Sequence, residues 1–141
     1  MSKPGKVLAI DYGGKRTGLA ICDAMGIVAN PLPAVVSTSL EETVNAIADV
    51  VTERGVQTIL CGMPFLPDGS EGGQAEKVRF FLSALRKRLG EEIPFAEIDE
   101  RHTTKEAESM WRQAGFSRKK AKEFLDSTAA VVMLREFLEL R

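Results

Sequence analysis

At 141 residues and a net charge of −1, the chain fits one domain with its own core, and charge alone does not mark it as a polyanion binder. Apolar residues at 44% and charged residues at 28% match a soluble globular protein, while only 6% aromatics argues against a stacking platform for bases. No apolar run reaches the about 18 residues of a membrane helix and no signal-peptide pattern opens the chain, so a cytoplasmic protein without a membrane partner is expected.

In chain order, Val7 to Asp11 is a short apolar strand and Gly18 to Asp23 a second, with glycines at 13, 14 and 18 permitting a tight reversal. Ile27 to Val36 carries Pro31 and Pro33 and suits a sheet edge. From Leu40 the period becomes helical: Val44, Ile47, Ala48 and Val51 share a face, and Gly55 is the stop. Val56 to Gly62 reads as a buried strand, and Met63 to Gly73 as a long Gly- and Pro-rich loop. Val78, Phe81, Leu82, Leu85 and Leu89 restore helical period up to Gly90, and Ile93 to Ile98 is a fifth strand. A helix starts at Thr103 with a capping box to Glu106 and stops near Gly115; a last one runs from Ser117 to about Leu140. The order β-β-β-α-β-α-β-α-α predicts an α/β domain over 1–141. Its mixed five-stranded sheet combines a three-strand meander with two parallel strands, flanked by helices. Cys22 and Cys61 lie in apolar runs without a CxxC pair, and there is one histidine, so both read as reduced core residues rather than zinc ligands.

Chemistry concentrates in acids at element ends. Asp11 closes the first strand and Glu100 follows the fifth, where open α/β sheets place ligands. Asp126 shares a stripe of the last helix with Ala129, Ala130, Met133 and Phe137, which should face the sheet. A carboxylate there is desolvated unless paired, hydrogen-bonded or metal-bound; a local cap or ion pair is the competing reading. Three acids converging from distant segments make a site for Mg²⁺ or Mn²⁺, hard ions that leave positions open for phosphate and water. Side-chain alternation puts Ala96, Ile98 and Glu100 on one face of the fifth strand and Phe95, Glu97 and Asp99 on the other. Glu100 is therefore the expected ligand, with Asp99 turned to solvent or to Arg101.

The cations follow the same logic. Lys15 and Arg16 sit in the glycine-rich turn beside Asp11, where they would meet a phosphate backbone or simply form an exposed turn. Arg118, Lys119 and Lys120 occupy the first turn of the last helix, where the macrodipole disfavours each cation by about 0.3–1 kcal/mol, so nearby phosphates are a better explanation than stability. The run Arg86 to Arg88 reads equally well as a solvated helix face.

Four stretches, "LAIDYGGKRTGLAICD", "CGMPFLPDGSEGGQAEKVRFF", "DERHTTKEA" and "DSTAAVVML", together resemble the YqgF/RuvX family, described as Holliday junction resolvase-like and as pre-16S rRNA processing nucleases. The resemblance implies an RNase H-like fold, a divalent metal, and a nucleic-acid substrate, either precursor rRNA or branched DNA. Carried over by motif, the metal-binding and catalytic acids are Asp11, Glu100 and Asp126, with Lys15, Arg16, Arg101, Arg118, Lys119 and Lys120 toward nucleic acid. His102 departs from the family pattern, which has a residue such as Leu there. Cutting a two-fold symmetric junction favours a homodimer. A binding module without catalysis would keep the fold, but phosphate binding alone does not call for three acids. "DYGGKRTG" also has the form of the phosphate loop of actin-like and sugar kinases, whose fold needs two such lobes; this chain holds one.

Overall fold

Apolar runs bounded by turn residues become the strands of one sheet. The computed structural model describes residues 5–100 and 127–140 in full and residues 118–126 as backbone. The strands are β1 (Val7–Asp11), β2 (Arg16–Cys22), β3 (Ala29–Val36), β4 (Thr58–Met63) and β5 (Phe95–Asp99); the described helices are α1 (Leu40–Arg54), α2 (Gly73–Leu89) and α3 (Arg118–Glu139). Spatial order is β3-β2-β1-β4-β5. β1 pairs antiparallel with β2 and β2 with β3, while β1–β4 and β4–β5 are parallel, giving the expected meander plus two parallel strands. The helix expected from Thr103 to Gly115 lies outside the described residues.

Central strands must satisfy both faces, and β1 and β4 do so with mostly apolar sequence: Val7 to Ile10 are wholly buried. Alternation sends Leu8, Ile10, Leu19, Ile21, Ile59 and Cys61 to one face, where they meet Val44 and Ile47 of α1 and Val78, Phe81 and Leu85 of α2. The opposite face is lined by smaller residues, Val7, Ala9, Ala20 and Cys22 with Leu60, and is covered by Ala130, Val131, Met133 and Leu134 of α3. Each buried leucine or valine contributes about 1.5–3 kcal/mol of transfer free energy. β3 is an edge strand, which accommodates Pro31 and Pro33 without loss of a central ladder bond.

Boundaries move for local reasons. Asp23 and the turn to Val28 delay β3: the Asp23 carboxylate accepts from the Ile27 N–H at 2.7 Å and the Val28 N–H at 3.3 Å, and Gly26 takes φ +70°. Val56 finishes the helix stop instead of starting β4, because its N–H donates to the Val51 carbonyl after Gly55 turns left-handed at φ +66°. Ser39 caps α1 by accepting from the Glu42 N–H at 3.2 Å. The basic run Arg86 to Arg88 occupies the last turn of α2, where cations suit the negative end of the helix, and Arg86 also lies over the Phe95 ring at 4.8 Å. Both cysteines are free and buried, as expected.

α3 is keyed to the sheet by one hydroxyl. The β2–β3 register slips between Thr17 and Leu19, and at this bulge the Ser127 hydroxyl donates to the Leu32 carbonyl at 2.7 Å and accepts from the Leu19 N–H at 3.1 Å. Ser127 thus completes a broken ladder from outside the sheet.

Candidate active site

The C-terminal ends of the parallel strands form the site. Register places Ile10 beside Cys61 and Gly62 beside Ile98, so Asp11, one step on, reaches the level of Gly62, between β1 and β5. Asp11 is the first half-buried residue after four buried ones. Its backbone is held from the next position, because Tyr12 points to the other face and stacks on Phe81 of α2, centroids 4.3 Å apart and planes at 13°. Glu100 continues the ladder beyond β5: its N–H donates to the Met63 carbonyl at 3.2 Å.

The Glu100 side chain turns to the α3 face, as alternation predicts. A Cβ built on Gly62 would lie 2.5 Å from Glu100 Oε2 and would also overlap the Met133 sulfur, so this carboxylate lies across a glycine of β4. There the Glu100 and Asp11 side chains are hydrogen-bonded to each other. Burial first, then the negative charge and hydrogen bond of Asp11, then Asp99, push Glu100 up from the ordinary carboxylate value to about 8. Two acids held together in a desolvated corner repel each other when both are ionised, which a proton or a cation relieves. Their hard oxygen atoms fit a divalent ion such as Mg²⁺ or Mn²⁺.

Glu97, on the opposite face, is engaged by Arg79 of α2, which also grips Glu71 of the loop after β4 at 2.8 Å. That loop closes on itself through Leu66 N–H to the Ser70 carbonyl at 2.8 Å, and the Arg79 fork fixes its far end to β5. Arg79 therefore ties the loop after β4 to β5 and pairs Glu97 on the face away from Asp11 and Glu100.

Lys15 in the β1–β2 turn and Arg16 at the start of β2 are exposed, at the same end of the sheet as Asp11. Neither glycine of that turn has positive φ. Gly13 is needed for space, since a Cβ there would run into the Arg16 carbonyl, whereas a Cβ on Gly14 would meet nothing within 4 Å. Asp126 directly precedes Ser127, whose contact residue Leu19 pairs with Ile10; its backbone is in α3, and its side chain lies outside the described ones. The same holds for the side chains of Arg118, Lys119 and Lys120, while Arg101 and His102 lie wholly outside the described residues. Among the described residues no three acids, cysteines or histidines gather as a metal cluster; the pair Asp11–Glu100 is what the structure brings together. Gly62, Tyr12 and Ser127 were not singled out from sequence. Gly62 alone left a signal, a glycine inside a buried strand pattern.

A family model described as RuvX, Holliday junction resolvase, matches residues 5–140. The chain belongs to the RuvX family. A protein of Trichormus variabilis is 38% identical over all of this chain and 92% of its own length, and one of Syntrophus aciditrophicus 39% identical over 95% and 88%; each bears the name "Putative pre-16S rRNA nuclease". Among solved structures, the fowlpox virus resolvase bound to Holliday junction DNA superposes with a TM-score of 0.62 at 10% identity, over 96% of this chain and 97% of that one. RuvC of Thermus thermophilus with its junction substrate gives 0.57 at 16%, over 97% and 95%. These likenesses establish the fold of the RuvX chain as the RNase H-like fold of resolvases. The family is one of nucleases, and no described helix is long and apolar enough to cross a membrane.

Proposed function

We propose that this RuvX-family chain is a divalent-metal-dependent nuclease that hydrolyses phosphodiester bonds of structured nucleic acid in the cytoplasm, with precursor 16S rRNA as substrate. The observation that carries the reading is the pairing of Asp11 and Glu100 across Gly62 at the C-terminal edge of the sheet. Asp11 and Glu100 would hold Mg²⁺ or Mn²⁺ with Asp126 as the third acid. Bound there, the ion supplies an activated water and charge stabilisation at the phosphate. Hydrolysis consumes one water for each phosphodiester bond broken. The α3 face keeps the carboxylates dry on one side, so their charge acts in a medium of low dielectric. Lys15 and Arg16, exposed beside Asp11, would contact the flanking phosphates and set the strand's approach. Arg101, Arg118, Lys119 and Lys120 would extend that contact.

The relatives' name favours precursor rRNA, and the family description favours a four-way DNA junction as the second substrate class. Both present backbone and shape rather than a base code. Cleavage of structured precursor RNA and of junction DNA should be compared side by side with Mg²⁺ or Mn²⁺, with Asp11→Asn as control. Metal-dependent cutting of the RNA, lost in Asp11→Asn, is expected. Binding without cleavage on both substrates would instead favour a non-catalytic nucleic-acid-binding module.

A further inference from the structure

We infer that Gly62 is a positioning residue whose missing side chain sets the separation of the Asp11 and Glu100 carboxylates, and with it the affinity for the divalent ion. The inference rests on the metal-nuclease reading above. Gly62 lies in the middle layer of the site, on the strand between those that carry the acids. Its φ is not in the left-handed region, so backbone conformation does not require glycine here. The strand would also be better packed by a side chain: all six residues of β4 are buried, and glycine weakens a strand interior. What the position does require is space. Leu60, two residues earlier on the same face, fills that space with apolar side chain against α3. At Gly62 the corresponding volume is taken by Glu100 Oε2 and by the Met133 side chain. A methyl group would have to move one or both.

The two neighbours make the inference testable, because they separate packing from carboxylate placement. Met133 is a flexible apolar residue of α3 with no part in the ligand set, whereas Glu100 is a proposed ligand. The full chain should be prepared as wild type, Gly62→Ala, Met133→Ala and the double variant Gly62→Ala/Met133→Ala. Mn²⁺ binding is read by titration calorimetry, with thermal unfolding in chelator recorded alongside. Gly62→Ala is expected to bind Mn²⁺ about 10–100-fold more weakly, the loss typical when the support of a metal ligand is disturbed. Met133→Ala alone should bind as wild type does. In the double variant the sulfur no longer opposes the methyl group, so thermal stability should recover relative to the additive expectation while metal affinity stays low. Recovery of wild-type affinity in the double variant would overturn the inference, because the glycine would then serve only helix packing. Equal affinity of Gly62→Ala and wild type would overturn it too, and so would failure of both glycine variants to fold. A wild-type chain that binds no Mn²⁺ yet cleaves in chelator would instead sink the metal-nuclease reading itself.

Discussion

A carboxyl group raised by burial and by a neighbouring carboxylate titrates in the physiological range, and at Glu100, beside Asp11, this makes folding and metal binding both depend on pH. In the metal-free chain, folded Glu100 holds its proton up to about 8, whereas the unfolded chain releases it near 4.5. The native state binds more protons between those values, so this contribution to stability is fully present below 4.5 and is lost as pH rises through 8. Thermal unfolding in chelator should therefore show wild type losing stability relative to Glu100→Gln across that window; parallel curves would refute the upward shift of Glu100. Metal affinity should rise over the same window, since a bound ion must displace the proton. Register adds a second expectation at this scale. Glu100 faces Asp11 across Gly62, while Asp99 belongs to the opposite alternation. Glu100→Gln should abolish cleavage and Asp99→Asn should reduce it far less, measured as initial rates at saturating metal. A dead Asp99 variant beside an active Glu100 variant would reverse the assignment.

At the scale of elements, α3 is positioned by Ser127 rather than by apolar packing alone. Ser127→Ala leaves the Leu19 N–H and the Leu32 carbonyl without their partner in a buried bulge, and should lower unfolding free energy by about 1–3 kcal/mol in urea titration. An unchanged midpoint would mean that the ladder closes without the hydroxyl. The start of the same helix carries the other test. Replacing Arg118, Lys119 and Lys120 together by Gln should weaken nucleic-acid binding and flatten its salt dependence, with thermal stability held or raised; an unchanged salt slope would leave the cluster as solvated surface. Local signals made much of this architecture legible. Val44 and Ile47 gave α1 its face, the prolines gave β3 its edge, and alternation gave Glu100 its side. Ser127 and Tyr12 were not legible, because their roles depend on a register slip and on a ring from α2, both set by residues far away in sequence. The run Arg86 to Arg88, which read equally well as a solvated helix face, occupies a helix end, with Arg86 over an aromatic neighbour.

For the molecule as a whole, a metal that binds the folded site alone stabilises the fold by mass action, about 2.7 kcal/mol at a hundred times its dissociation constant. Mn²⁺ should raise the unfolding temperature of wild type and leave Asp11→Asn unmoved, while chelator abolishes cleavage without unfolding the chain; a shift of equal size in both proteins would place the ion elsewhere. The meander and the two parallel strands were readable from the order of elements, whereas the meeting of Asp11 and Glu100 above one glycine required the register of three strands. The same register puts Cys61 directly beneath the acids, wholly enclosed against α1 and α2. Burial, reinforced by the negative charge of Glu100 and Asp11, drives its thiol far above the ordinary range, so the nucleophilic thiolate is suppressed in the folded state. Peroxide and alkylating agents should spare this thiol for as long as the sheet stays closed. Its modification is then a clock: the rate at which iodoacetamide reaches Cys61 measures how often the centre of the molecule opens.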